Sequence, residues 1–166
     1  MTSDPSGGWK HTASGIVFPA EVAGFVRQSA APAPTREGVL VDYRFTSKVT
    51  DTIEGYVNVD VAVIPAGSMS LKTAFDSRLA QALRFKWIGA KPVETGEKPA
   101  AGQLGPGMYA HYTIQASNIA GHNEDGDLQL WVHKRGNYYL AFSSSTAMNR
   151  RDIAEPVVAA FIRHFE

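Results

Sequence analysis

Two segments of this chain alternate apolar and polar residues with a period of two. The first runs from 39 to 46, and the second runs from 57 to 64, with valine at 57, 59, 61 and 63. Successive side chains of a β-strand point to opposite faces of a sheet, and β-branched residues favour the extended backbone. The pattern therefore predicts two strands with one apolar and one mixed face, as is typical of an antiparallel sheet.

A helix and three further strands are predicted after this pair. Leucine or phenylalanine recurs every four residues from 71 to 83, which predicts an amphipathic helix over 69–85, capped by Ser68 or Ser70. Strands are predicted at 108–114, 128–132 and 138–142, the last two joined by a tight turn at 135–137. A final helix is placed from about Glu155, because Pro156 is tolerated only near a helix start. This order favours an antiparallel sheet covered by helices.

The bulk composition predicts one folded domain. With 166 residues, 44% of them hydrophobic, the chain is long and apolar enough to bury a core. Residues 1–8 are small and polar, which predicts a flexible N-terminal tail and a single domain over 9–166. The chain has no cysteine, and this excludes disulfides, thiol catalysis and thiolate metal sites.

Charge and hydropathy restrict the expected partners. Sixteen basic and sixteen acidic residues give a net charge of zero, so no overall field attracts nucleic acid or an anionic membrane. We find no apolar run of membrane-spanning length and no signal-peptide pattern at the start. The expectation is a cytoplasmic protein without membrane insertion and without a nucleic-acid partner. A form processed from a longer precursor would instead be periplasmic or secreted.

The most informative stretch for the fold lies near the start of the chain. It contains two apolar runs, Ser14-Gly15-Ile16-Val17-Phe18-Pro19 and Gly24-Phe25-Val26-Arg27. Pro19 ends the first run, and Gly15 and Gly24 stand where the chain can bend or pack closely. The stretch predicts two short strands separated by a corner.

These runs resemble the PsbP-like superfamily, which includes an extrinsic photosystem subunit, a Ran-GTPase-binding nuclear import factor and many bacterial proteins. The strand from Val57 to Ile64 and the segment Val132-His133-Lys134-Arg135 support the resemblance, which extends from Trp9 over most of the chain. It implies an α+β fold, an α/β/α sandwich with a central, mainly antiparallel sheet. It also implies protein binding or assembly, and it transfers no catalytic residue.

Four residues on the polar faces of the later strands are the candidate binding residues: Tyr109, His111, Trp131 and His133. A register exists that would place the two histidines opposite each other, about 5 Å apart at Cβ and close enough to share a metal ion. The sequence offers no third ligand, so neither a metal site nor any other cofactor is predicted. Tyr109, Trp131 and Tyr139 form either core beneath helices or a patch for a protein partner.

Three polar segments and one pair of aspartates have ordinary structural interpretations. Residues 89–107 hold five glycines and three prolines, which predicts a long irregular loop. Residues 123–127 resemble a calcium loop only superficially and are interpreted as a solvated turn. Residues 143–146 are interpreted as serines and a threonine that end a strand and enter a loop. Asp42 and Asp60 could pair as acid and base, but salt bridges with Arg44 or Lys48 explain them better.

The sequence therefore predicts a non-enzymatic binding or assembly module that contacts another protein. No catalytic signature such as a nucleotide-binding glycine loop or a zinc-binding HExxH pattern is present. The alternative is a small-molecule-binding protein or enzyme, with a pocket under the 89–107 loop lined by Tyr109, His111 and His133.

Overall fold

The computed structural model describes residues 2–3, 7–32, 38–48, 54–116, 125–147 and 151–166. These residues form strands in two sheets and two helices. The strands are β1 (Thr2–Ser3), β2 (Trp9–Lys10), β3 (Val17–Phe18), β4 (Glu21–Val22), β5 (Phe25–Pro32), β6 (Val39–Lys48), β7 (Glu54–Pro65), β8 (Trp87–Lys98), β9 (Gly107–Ala116), β10 (Asp125–Arg135) and β11 (Tyr138–Ala147). The helices are α1 (Leu71–Lys86) and α2 (Arg151–Arg163).

The larger sheet has eight strands in the order β4-β5-β6-β7-β11-β10-β9-β8, and every neighbouring pair is antiparallel. Strands β4 to β7 form one meander and β8 to β11 form another, and the two meet where β7 pairs with β11. Strands β1, β2 and β3 form a separate small sheet. The α+β class with a mainly antiparallel sheet is confirmed.

Alternation along β7 divides its side chains between two cores. The valines at 57, 59, 61 and 63 are at most 1% exposed and share a cluster with Phe161 of α2. Ala62 points the other way and shares a second cluster with Phe75 of α1. The two helices therefore pack on opposite faces of the large sheet, which we call the α2 face and the α1 face.

The N-terminal stretch bends at the two glycines that the sequence singled out. Gly15 and Gly24 have φ angles of 72° and 81°, a region in which other residues are strained. These bends bring Phe18 and Phe25 into the α2 core, where both are 0% exposed. The predicted bends at Gly15 and Gly24 are confirmed.

The prediction of a long irregular loop over 89–107 is wrong for most of its length. Residues 87–98 form β8, which pairs with β9 at the edge of the sheet. The register shifts between Ile88 and Lys91 and again between Pro92 and Glu94. Bulges at an edge strand accommodate proline and glycine, because the missing N–H and the extra backbone freedom disturb no second neighbour.

The first helix confirms its prediction, and the second begins earlier than expected. The Ser70 hydroxyl accepts a hydrogen bond from the backbone N–H of Thr73 at 3.1 Å, so Ser70 caps α1. Helix α2 begins at Arg151 rather than Glu155, with Pro156 inside it. Pro156 removes one backbone hydrogen bond early in the helix, and packing of the apolar side of α2 offsets that loss.

Of the helices that the structure describes, none is both long and apolar enough to span a membrane.

Candidate functional site: a polar cleft on the α2 face

The four candidate binding residues all lie on the α2 face, on the neighbouring strands β9 and β10. Tyr109 and Trp131 are directly opposed, with ring centroids 5.2 Å apart. His111 is instead opposite Gln129, and His133 is opposite Gly107. The hypothesis that the two histidines oppose each other is wrong, because four residues of strand separate them, or about 13 Å.

The three aromatic residues do not form one patch. Tyr139 lies on the α1 face, where it is 4% exposed and its hydroxyl donates a hydrogen bond to the carbonyl of Met69 at 2.7 Å. Tyr109 is 7% exposed, and Trp131 is partly buried against the α2 core. Core is therefore the right interpretation of Tyr139 and Tyr109, whereas Trp131 on the α2 face is only partly buried.

His133 supports the turn that precedes β9. Its Nδ1 atom donates a hydrogen bond to the carbonyl of Gly105 at 3.0 Å. The backbone of Lys134 also bonds with Gly105 and Pro106. His133 is 5% exposed and is thus enclosed between β10 and this turn. Residues 87–98, part of the segment expected to cover a pocket, instead lie beside β9 in the sheet.

Substitution of Gly107 by alanine tests this packing. An alanine Cβ would lie 2.4 Å from Nδ1 of His133, a distance that requires the ring or the strand to move. We expect the free energy of unfolding to fall by about 2 kcal/mol, as is typical of overpacking. Chemical denaturation measures the effect, and Gly96→Ala is the control, because its Cβ would have no neighbour within 4 Å. A neutral Gly107→Ala variant would contradict the described position of His133.

A buried polar contact on the α2 face joins His111 to Asp127. Nε2 of His111 and Oδ1 of Asp127 are 2.5 Å apart, and the two residues are 2% and 4% exposed. The turn interpretation of 123–127 missed this aspartate, since 125–127 belong to β10, while 123 and 124 lie outside the described residues. The sequence signal that could have found Asp127 is the alternation of a strand, which places it on the same face as Trp131 and His133.

A small cleft lies beside this pair, between the sheet and the first turns of α2. Its lining consists of Asp127, Gln129, Ser144, Thr146, Arg151, Ala154 and Glu155. The space open to the centre of a water molecule is about 10 Å³. This is room for about one water molecule.

Hydroxyl groups reach this cleft because 143–146 continue strand β11. The prediction that these residues end a strand and enter a loop is wrong, since β11 extends to Ala147. Pairing with β10 places Thr146 opposite Asp127, and Ser144 opposite Gln129. Long-range pairing thus keeps a serine-rich segment extended that local preference alone would place in a turn.

Arg151 of α2 lies between two carboxylates at the edge of the cleft. Its Nε atom is 2.6 Å from an oxygen of Glu155 and 4.0 Å from Oδ2 of Asp127. The contact with Glu155 is the main reason why the pKa of Arg151 is raised. Burial, reinforced by the negative charges of Glu94 and Glu155, raises the pKa of nearby Tyr109 to about 12. Nζ of Lys98 stands 4.4 Å from the centre of the Tyr109 ring.

The α1 face brings together the two aspartates considered as an acid–base pair. Asp42 and Asp60 are directly opposed on β6 and β7. Arg44, one of the two suggested salt-bridge partners, donates a hydrogen bond to the amide oxygen of Asn58 at 3.2 Å. The side chain of Lys48 lies outside the described residues. Burial lowers the pKa of Arg78 on α1, and the charges of Asp60 and Asp42 oppose that effect.

Comparison with known proteins adds no assignment. No protein-family model and no curated protein sequence matches this chain. Among the residues that the structure describes, no three histidine, aspartate or glutamate side chains form a group that could hold a metal ion.

Proposed function

We propose that this chain is a non-enzymatic binding or assembly module that contacts another protein through its α2 face. The observation that carries the proposal is the partly buried Trp131, whose ring packs on the buried ring of Tyr109 beside a charged rim. Nζ of Lys98 lies over the ring of Tyr109, and the charges of Arg151 and Glu155, whose side chains are 46% and 50% exposed, also act on Tyr109. We call these five residues the aromatic–charged surface. Tryptophan, tyrosine and arginine are enriched among residues that dominate binding between proteins.

Size and charge favour a protein over other ligands. The cleft has room for about one water molecule, whereas small-molecule sites occupy about 300–1,000 Å³. The exposed rim carries both positive and negative side chains, and the whole chain has a net charge of zero. Nucleic-acid binding depends on concentrated positive charge, so this surface suits a protein partner with complementary mixed charges better.

A PsbP-like α/β/α sandwich is the fold assignment that accompanies this proposal. It is supported by the antiparallel sheet, by the two helices on opposite faces, and by the resemblance of residues 14–19, 24–27 and 132–135. The assignment makes assembly with another protein the expected activity.

The proposed function is tested in two steps: a binding partner is first captured by cross-linking, and its affinity for two matched variants is then compared. Cross-linking in the cells that produce the protein identifies a candidate partner, whose affinity is then measured with purified components. Glu155→Lys reverses one charge of the aromatic–charged surface and is expected to weaken binding about tenfold. Asp76→Lys is the control, because Asp76 also follows its cation by four residues, is 54% exposed, and lies on α1.

The two variants distinguish a specific surface from a general charge effect. Each changes the net charge by the same amount and breaks one exposed ion pair of 2.6 Å. Such pairs contribute about 0.3–0.5 kcal/mol to stability, so both variants should remain folded. An equal loss of affinity in both variants, or no partner above background, would overturn the proposal.

A further inference from the structure

Two buried oxygen atoms in the cleft make no hydrogen bond within the described part of the chain. They are Oδ2 of Asp127 and Oγ1 of Thr146. The two residues are directly opposed on β10 and β11 and are 4% and 9% exposed. Buried polar atoms in native proteins nearly always have a hydrogen-bond partner, so these two atoms point to an occupant.

The charged groups beside these oxygen atoms contact other partners. The other oxygen of Asp127, Oδ1, contacts His111. The Nε atom of Arg151 bonds with Glu155 at 2.6 Å and lies 4.0 Å from Oδ2 of Asp127, beyond hydrogen-bond distance. Both Arg151 and Glu155 line the same cleft, so the unpartnered oxygens face a space already bordered by polar groups.

Size and chemistry together define what fits this space. The opening of about 10 Å³ is the size of one water molecule. A carboxylate oxygen only accepts hydrogen bonds, whereas a threonine hydroxyl can accept or donate, so the occupant must be a donor. An anion is excluded because it would meet Oδ2 of Asp127 and the nearby carboxylate of Glu155.

We infer that this cleft is a binding site for one water-sized hydrogen-bond donor that bridges Oδ2 of Asp127 and Oγ1 of Thr146. A water molecule and the ammonium group of a primary amine share this chemistry. Because residues of both the sheet and α2 line the cleft, the occupant joins the two layers. The inference does not depend on the proposed protein partner, although the cleft shares Arg151 and Glu155 with the aromatic–charged surface.

Crystal structures provide the direct test. Wild-type crystals are grown without amines, and others are soaked in methylammonium chloride; at least one of the two should show a single density peak at hydrogen-bond distance from both oxygen atoms. Thr146→Val removes the hydroxyl while keeping the shape and should lose the peak, whereas Thr146→Ser should retain it. A cleft without density in both wild-type crystals, or a direct bond from Arg151 to Oδ2 of Asp127, overturns the inference.

Thermal unfolding distinguishes the two sources. If the occupant is ammonium, methylammonium chloride stabilises the protein more than sodium chloride at equal ionic strength. At ten times the dissociation constant, the ratio of folded to unfolded protein rises about elevenfold, and Asp127→Asn removes this gain. If the occupant is water, the two salts act alike, and the peak is present in amine-free crystals.

Discussion

Replacement of Phe161 by alanine is expected to lower the free energy of unfolding by about 4 kcal/mol. Phe161 is 0% exposed at the centre of the α2 core, with its ring centroid 5.0 Å from Phe25, 4.9 Å from Tyr43 and 5.4 Å from Phe165. Truncation leaves a cavity between α2 and the sheet that these rings fill only in part. Urea denaturation monitored by circular dichroism measures the loss.

Two companion variants separate the cavity from other effects on α2. Phe161→Leu keeps most of the volume and should lose about 1.5 kcal/mol. Ile153 lies on the same helix but is 37% exposed, and Ile153→Ala should change the stability by less than about 1 kcal/mol. Similar losses for Phe161→Ala and Ile153→Ala would mean that α2 does not pack on the sheet through Phe161.

The central strands and the first helix could be predicted because their signals are local. The alternation around Val41 and Val59 defines β6 and β7, and the four-residue repeat around Phe75 defines α1. Each of these elements is stabilised by burial of one face, and the apolar residues recur in the sequence with the period that places them on that face. The turn at 135–137 was predicted from its local glycine, and Gly136 has a φ of 59° there.

Strand β8 and the start of α2 could not be predicted in this way. The glycines and prolines of 87–98 disfavour a strand locally, yet pairing with β9 holds the segment extended. Pro156 disfavours a helix that begins before Glu155, yet buried Ala154, Val158 and Phe161 anchor α2 from Arg151 onward. In both cases tertiary contacts outweigh a local preference.

The candidate site was predicted in part. The sequence places Tyr109 and His111 on one strand face, and Trp131 and His133 on another, and the structure brings these faces together. Register is a long-range property, so the sequence could not show that His133 lies opposite Gly107. The sequence also did not indicate Asp127 as a site residue, because its partner His111 is sixteen residues away and lies on another strand.

Removal of the Asp127 carboxylate is expected to have the other large effect. Asp127→Ala leaves Nε2 of His111 buried without its partner at 2.5 Å, and loss of one member of a buried pair typically costs about 3 kcal/mol. Denaturant unfolding measures this loss. The control is Asp125→Ala on the same strand, an exposed aspartate whose removal should change the stability by less than about 0.5 kcal/mol.

A double-mutant cycle assigns the cost of Asp127→Ala to the contact itself. Once Asp127 is alanine, His111→Ala removes a side chain that has already lost its partner. His111→Ala should therefore cost about 2 kcal/mol less in that background than in the wild-type protein. Strictly additive losses would show that Asp127 acts on the cleft without His111. Strong coupling would instead show that the buried contact between the two residues holds Asp127 in place beside the cleft.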